Sequence, residues 1–258
     1  MKPRKVPKEL DQAVDIVFSH NPKQESRASL PSTITAESWA TSINAVFDSK
    51  ELRLDASHFH QSSVNTIRDL KQTGLKLQPL SDLAKIWFRG PFTRVWSSPE
   101  YGLPYFNATD LLSLLALGVP SGGPRYLSNK TKTNIQALIV SEGWLLMTCS
   151  GTIGRVFCVP KRLDGWVATH DLIRIIPHQT EMTGYLYAWL GTEEAQSQIL
   201  SYTHGGQIDH VTDEQVSRIL VPLPSHKRIR AIHAVTMKAL SKREEALKSL
   251  SDAWEIDD

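Results

Sequence analysis

The chain has 258 residues, 41% hydrophobic and 22% charged, with a formal net charge of +2 at pH 7; that is enough for one well-buried core with an appended element. Its two cysteines, Cys149 and Cys158, exclude a disulfide scaffold, and no stretch approaches the roughly 20 apolar residues of a membrane span. Met1-Lys2-Pro3-Arg4-Lys5 lacks the apolar core of a signal peptide, so a cytoplasmic protein is expected. The mild positive charge permits a nucleic-acid partner if basic groups gather on one face.

Residues 1–34 carry Pro, Ser and Lys around one short apolar patch, Ala13 to Phe18, and are expected to be loosely ordered. Trp39, Ile43, Val46 and Phe47 fall on one helical face, with Thr35 as its N-cap. From residue 51 to 221 the pattern is that of one compact domain. Ser81-Asp82-Leu83-Ala84 predicts the start of a short helix, and Thr109-Asp110 opens another through Leu117. Gly118 and Pro120-Ser121-Gly122-Gly123-Pro124 form a loop. Strands are expected over 135–140, 144–149, 153–159 and 171–176, each rich in large or β-branched apolar residues. Helices follow over 185–190 and 193–202, and Thr212-Asp213-Glu214-Gln215 has the pattern of a capping box. Strands and helices without regular alternation predict an α+β fold with a twisted, mostly antiparallel sheet.

Pro222-Leu223-Pro224 reads as a break. Residues 225–254 then contain no Gly or Pro. Ile229, Ile232, Thr236, Leu240, Arg243, Leu247, Leu250 and Trp254 recur at steps of three and four, which predicts a single helix about 45 Å long with an imperfect apolar seam. A stripe that long is expected to need a partner helix. Ile229, Ile232, Leu240, Leu247 and Leu250 are the residues expected at that interface.

The residue types that could carry chemistry concentrate in loops. Ser150-Gly151-Thr152-Ile153-Gly154-Arg155 is a tight turn between two apolar strands. Ser150, Thr152, Arg155 and the free N–H groups at Gly151 are what a phosphate or base edge needs. A plain hairpin turn accounts for the same pattern. Gly205-Gly206-Gln207 precedes a capped helix start that favours anions, and Gln207 could pair with adenine; a flexible surface loop reads the same way. Arg89, Arg94, Arg125, Lys130 and Lys132 sit in Gly-, Pro- and Asn-bearing loops and are candidate phosphate contacts, or simply solvated charges.

Taken in order, seven segments carry a resemblance. Trp144 to Val156 runs from a strand into the Ser-Gly-Thr-Ile-Gly-Arg turn. Thr169-His170-Asp171-Leu172-Ile173-Arg174-Ile175, Tyr185-Leu186-Tyr187-Ala188-Trp189-Leu190, His204 to Thr212 and Ile219 to Pro224 follow. Arg53-Leu54-Asp55 and Pro104-Tyr105-Phe106 precede them. In this order and spacing they resemble the target-recognition domain of the specificity subunits of type I restriction-modification systems, over roughly residues 51–254. The resemblance implies a non-catalytic DNA-reading module. Residues 1–50 would be an N-terminal extension, 51–221 the recognition domain and 222–258 a spacer helix that pairs with a second copy. Implied partners are double-stranded DNA, a DNA methyltransferase subunit and, as a further candidate, a restriction or translocase subunit. No cofactor, metal or membrane is implied. The motif set occurs once, which reads as a half-subunit. Ser225-His226-Lys227-Arg228 stands where the family usually continues Pro-x-x-Glu-Gln.

Enzyme machinery is sparse. There is no G-x-G-x-x-G, no Asn-Pro-Pro-Tyr or Asp-Pro-Pro-Tyr, and no Walker lysine loop. Asp48 with Lys50 could be part of a nuclease set, but no paired acid accompanies them. Cys149 with His170 could form a nucleophile and base, against the simpler reading of a buried structural thiol. His58 and His60 lack further residues at metal-ligand spacing. Two rivals to the DNA-reading module remain: a defence nuclease, and a specificity-subunit mimic that blocks an assembly.

Overall fold

The computed structural model describes residues 61–88, 90–203 and 210–254. The helix expected around Trp39 and the opening segment at Arg53 lie outside them. In chain order the elements are α1 (Gln61–Gln72), β1 (Lys76–Pro79), β2 (Ala84–Trp87), β3 (Trp96–Ser97), β4 (Gly102–Phe106), α2 (Leu111–Ala116), β5 (Arg125–Ser128), β6 (Leu145–Thr148), β7 (Val156–Cys158), β8 (Val167–Ala168), β9 (Leu172–Pro177), α3 (Thr183–Leu190), α4 (Glu193–Ser201), α5 (Asp213–Ser217), β10 (Leu220–Leu223) and α6 (His226–Trp254). No helix among the described residues is long and apolar enough to cross a membrane.

The α+β expectation holds, with three sheets rather than one. The central sheet has the order β2-β9-β6-β7 and is antiparallel throughout. Every residue of β6 is buried, so its sequence, Leu-Leu-Met-Thr, shows no alternation: both faces of the sheet are covered. Leu145, Met147, Ile173 and Ile175 pack with Tyr185, Leu186 and Trp189 of α3 and Ile199 of α4. Leu146, Phe157 and Leu172 pack on the other side with Phe106, Leu114 and Ala168. Arg174 sits within this central sheet, fully buried. Its guanidinium donates to the carbonyls of Leu172 (2.6 Å) and Ala168 (2.9 Å) and lies 5.3 Å from the Trp87 ring centroid.

The second sheet has the order β3-β5-β4-β8, parallel only between β4 and β8. Its inner face gives Phe106 and Ala168 to the central core. Its outer face holds a small cluster of Tyr105, Leu127, Leu138 and Val167. β1 and β10 form a two-stranded ribbon.

Three local expectations change. Residues 135–138 form a 3-10 turn instead of a strand, because that turn puts Ile135 and Leu138 on one face against the outer cluster. The helix expected from Ser81 is a single 3-10 turn, Leu80–Asp82. Leu80 and Ala84 are both buried, and the chain between them straightens at once to pair β2 with β9. The Pro222 break is itself strand: Pro222 lies opposite Leu77, and its carbonyl accepts the Tyr185 hydroxyl. A two-stranded ribbon leaves each strand an open edge, where a missing N–H costs little.

The largest correction concerns α6. It docks lengthwise on its own domain. At its N-terminal half it crosses α3 so closely that a Cβ on Gly184 would lie 2.7 Å from the His233 carbonyl oxygen; the Gly184 N–H donates to His233 Nδ1 at 3.1 Å. Farther along, Arg162 Nε donates to Glu244 at 2.7 Å, and the same guanidinium holds the carbonyls of Gly118 and Leu114. Ile229 and Leu247 are therefore buried within the chain, and Ile232 and Leu240 half-buried against its core, while Leu250 stays exposed. The seam needs no second helix, because α3 and the loop after α2 supply surfaces along most of its length.

Candidate nucleic-acid interface

The turn from β6 to β7 is held by one residue. Thr148 N–H donates to the Arg155 carbonyl (3.0 Å), and its carbonyl accepts from Gly154 N–H (3.0 Å). Its side-chain hydroxyl accepts from Arg155 N–H (3.0 Å) and donates to the Thr152 carbonyl. These bonds cinch the loop and present Gly151, Thr152 and Arg155 to solvent, with Ser150 half-buried. Gly151 (φ +66°) has open space around it. Gly154 (φ +84°) does not: an added Cβ would lie 2.5 Å from Gln196 Oε1, and Gln196 donates to the Gly154 carbonyl at 2.9 Å. Gly154 thus admits a side chain of α4.

Ser150 forms an isolated antiparallel bridge with His210, and Val211 N–H donates to the Cys149 carbonyl at 3.0 Å. Gly205, Gly206 and Gln207 lie outside the described residues, but the chain that leaves them is fastened beside the Ser150 turn. Thr212 then caps α5 with the expected capping box: its hydroxyl accepts from Gln215 N–H, and the Gln215 side chain accepts from Thr212 N–H.

The loop cations divide into two kinds. Arg94 is half-buried and engaged: Nε donates to the Tyr105 hydroxyl (2.8 Å), and Nη2 lies 3.3 Å from Thr169 Oγ1 and 3.5 Å from His170 Nδ1. Arg125 pairs with the buried Asp110 at 3.3 Å and covers the Trp96 ring at 5.2 Å. Lys130 and Lys132 are exposed on either side of Thr131, whose hydroxyl bonds the Val95 backbone. Arg89 lies outside the described residues.

The sequence singled out neither Trp96 nor His170 as part of this surface. The structure gathers Trp96, Tyr105, Asn107, Arg94 and Arg125 into one aromatic and cationic cluster. Asn107 accepts from the Tyr105 hydroxyl (2.9 Å). His170 borders it, edge-on to Phe92, with Nε2 2.9 Å from Asp171. Burial pushes the His170 imidazole below its usual pKa, with help from the Arg94 and Arg174 cations and against the pull of Asp171. The Asp171 carbonyl in turn accepts from Cys149 Sγ at 3.3 Å. Arg94, His170, Asp171, Cys149 and Ser150 thus form a chain of contacts that joins the two halves of the site.

That chain also decides the Cys149 chemistry. Burial pushes its thiol up to about 11, so it stays protonated, and its hydrogen bond goes to a backbone carbonyl rather than to His170. Among the described residues, no three His, Cys, Asp or Glu side chains gather as a metal site. Asp48, Lys50, His58 and His60 lie outside them.

Comparison with curated proteins finds no match. Among solved structures, the type I S subunit from M. genitalium is similar at 16% identity and a TM-score of 0.45, over 69% of this chain and 41% of that one. The HsdS subunit from Thermoanaerobacter tengcongensis is similar at 16% identity and a TM-score of 0.45, over 82% of this chain and 50% of that one. The type IIG restriction endonuclease BpuSI is similar at 9% identity and a TM-score of 0.48, over 78% of this chain and 34% of that one. The chain spans half or less of the length of these three proteins. One family profile, described as the type I restriction modification DNA specificity domain, matches residues 75–251, from just before β1 to the last turn of α6. This chain belongs to the family of type I restriction-modification DNA specificity domains.

Proposed function

We propose that this chain is a DNA-reading specificity module that directs a type I-like methyltransferase or restriction complex to its site and performs no chemistry itself. The observation that carries the reading is the family match over residues 75–251. The geometry agrees with it: a cinched turn offers Ser150, Thr152 and Arg155, and exposed Lys130 and Lys132 flank a loop on the second sheet. Hydroxyls and free cations on rigid supports suit phosphate and base-edge contacts.

In this reading residues 51–221 read one half-site in the cytoplasm, residues 222–258 serve as spacer and residues 1–50 are an extension. A single domain reads too few base pairs to pick a site in a genome, so two copies are needed. With Ile229 and Leu247 already buried, the second copy would cover the outward face of α6. That face carries exposed Ala231, Ala234, Val235, Ala246 and Leu250, interrupted by Lys238, Lys242 and Glu245. A methyltransferase subunit supplies the chemistry, and a restriction or translocase subunit is a further partner.

The test is to sequence methylated motifs in host DNA with and without the gene. The expected result is loss of one split motif on deletion. An unchanged methylation pattern sinks the reading. Metal-dependent cutting by the purified chain would favour a nuclease, and tight methyltransferase binding without any duplex binding would favour an inhibitory mimic.

A further inference from the structure

The second sheet has an outer face that is only half covered. Trp96 of β3 lies opposite Leu127 of β5, and Arg125 lies opposite Tyr105 of β4, so these side chains share one face. The 3-10 turn at 135–138 covers Leu127 and Tyr105, which are fully buried. The cover stops short of Trp96, which is 46% exposed. Tyr101, on the short link between β3 and β4, is 74% exposed.

Trp96 is nonetheless fixed. Its ring meets Tyr105 edge-on at 5.2 Å, and the Arg125 guanidinium lies over it. Arg125 is itself anchored by the buried Asp110. A ring left exposed forgoes the hydrophobic stabilisation that burying it would give. Arg94 bonds the same Tyr105 on which Trp96 packs, and Lys130 and Lys132 flank Thr131, whose hydroxyl bonds the backbone of Val95 next to Trp96. Of the acids here, Asp110 is buried under Arg125, Asp171 is held by His170, and Glu100 is exposed and hydrogen-bonded to Ser98. This charge pattern favours a polyanion over a protein partner. Rigid apolar side chains set among phosphate-binding cations are how proteins pry open a base step and bend a duplex.

Building on the DNA-reading function above, we propose that Trp96 and Tyr101, with Arg94, Arg125, Lys130 and Lys132, form an aromatic wedge that unstacks one base step of the bound duplex, so that the domain selects its site partly by how easily DNA deforms there. Flexible pyrimidine–purine steps are the ones such a wedge favours.

The probe is a duplex recovered from a random-sequence pool by the full chain, with 2-aminopurine substituted along it. The wild-type chain raises 2-aminopurine fluorescence at one step. Trp96→Ala and Tyr101→Ala each lose that signal and bind the paired duplex about tenfold more weakly, the worth of one stacked ring. A single mismatch at the same step restores most of the lost affinity, because the duplex is already unstacked there. Lys130→Ala weakens paired and mismatched duplexes equally. Trp96 packs on Tyr105, so its variant is checked by thermal melting; Tyr101, largely in solvent, keeps the test decisive if the Trp96 variant unfolds. Wild-type affinity in the Tyr101 variant, or no rescue by the mismatch, overturns the wedge and leaves DNA reading intact. Methyltransferase capture lost in the Tyr101 variant, with duplex binding unchanged, overturns it in favour of a protein contact. Recovery of no duplex overturns the DNA-reading function and the wedge together.

Discussion

Ser150 and His210 face each other in an isolated antiparallel bridge, although β7, β8, β9 and two helices intervene in the chain. The bridge ties the cinched turn after β6 to the segment that leads into the Thr212 cap. It makes one surface of two stretches that the sequence offers separately.

The two glycines of that turn are expected to respond differently. Gly151 needs only its left-handed backbone, so Gly151→Ala is expected to cost about 1–2 kcal/mol. Gly154→Ala also displaces the end of the Gln196 side chain from its hydrogen bonds to the Gly154 and Leu190 carbonyls and is expected to cost about 1 kcal/mol more. Denaturant unfolding of both variants, and of Gly154→Ala combined with Gln196→Ala, checks this. The double change should cost little more than Gly154→Ala alone, because those bonds are already lost. Equal destabilisation by the two single variants would contradict the tight approach of α4.

The cations are expected to separate by role. Lys130→Ala and Lys132→Ala should each weaken binding to all duplexes alike and flatten the log–log salt slope by roughly 0.9. Arg155→Ala should lower affinity for the target by about 1–3 kcal/mol and leave random duplex nearly unaffected. Arg94→Ala removes bonds to Tyr105 and Thr169, so its melting temperature should fall as well. Salt titration with calorimetric melting distinguishes them; a thermally neutral Arg94 variant would make it a surface charge.

Stability should depend on His170 in mildly acidic solution. Its folded pKa is depressed, first by burial and then by Arg94 and Arg174, so the unfolded state binds the proton more readily. The contribution is fully present above the unfolded value of about 6.5. It is lost as pH falls from there through the lowered folded value. His170→Asn should flatten this part of the stability–pH curve. An unchanged curve would show that Asp171 compensates fully.

The docked and outward faces of α6 are expected to respond differently. Leu247→Asp buries a charge against the Gly118 loop and should destabilise the chain by about 3 kcal/mol or more. Val235→Asp with Leu250→Asp changes positions that are 71% and 55% exposed and should leave the fold intact. If two copies pair along this face, that double variant sediments as a monomer where the wild type is a dimer. A wild-type monomer in analytical ultracentrifugation, alone and with its methyltransferase, would remove the pairing model.

Several features follow from the sequence alone because their physics is local. The Thr212–Gln215 capping box closes within three residues. α6 is uninterrupted because residues 225–254 contain no Gly or Pro, and β6 reads as buried because it is apolar at nearly every position. The ordered segments from Trp144 to Pro224 also carry the family. Other features depend on partners far away in the chain. Arg94 reads as a free loop cation until Tyr105 and Thr169 are brought to it. Gly154 reads as an open turn glycine until Gln196 arrives from α4. Leu247 reads as interface until the loop at Gly118 covers it. Residue periodicity reports that a side chain will be buried or a backbone bent. Only the tertiary packing decides what does the burying, and therefore which cations and which rings stay exposed.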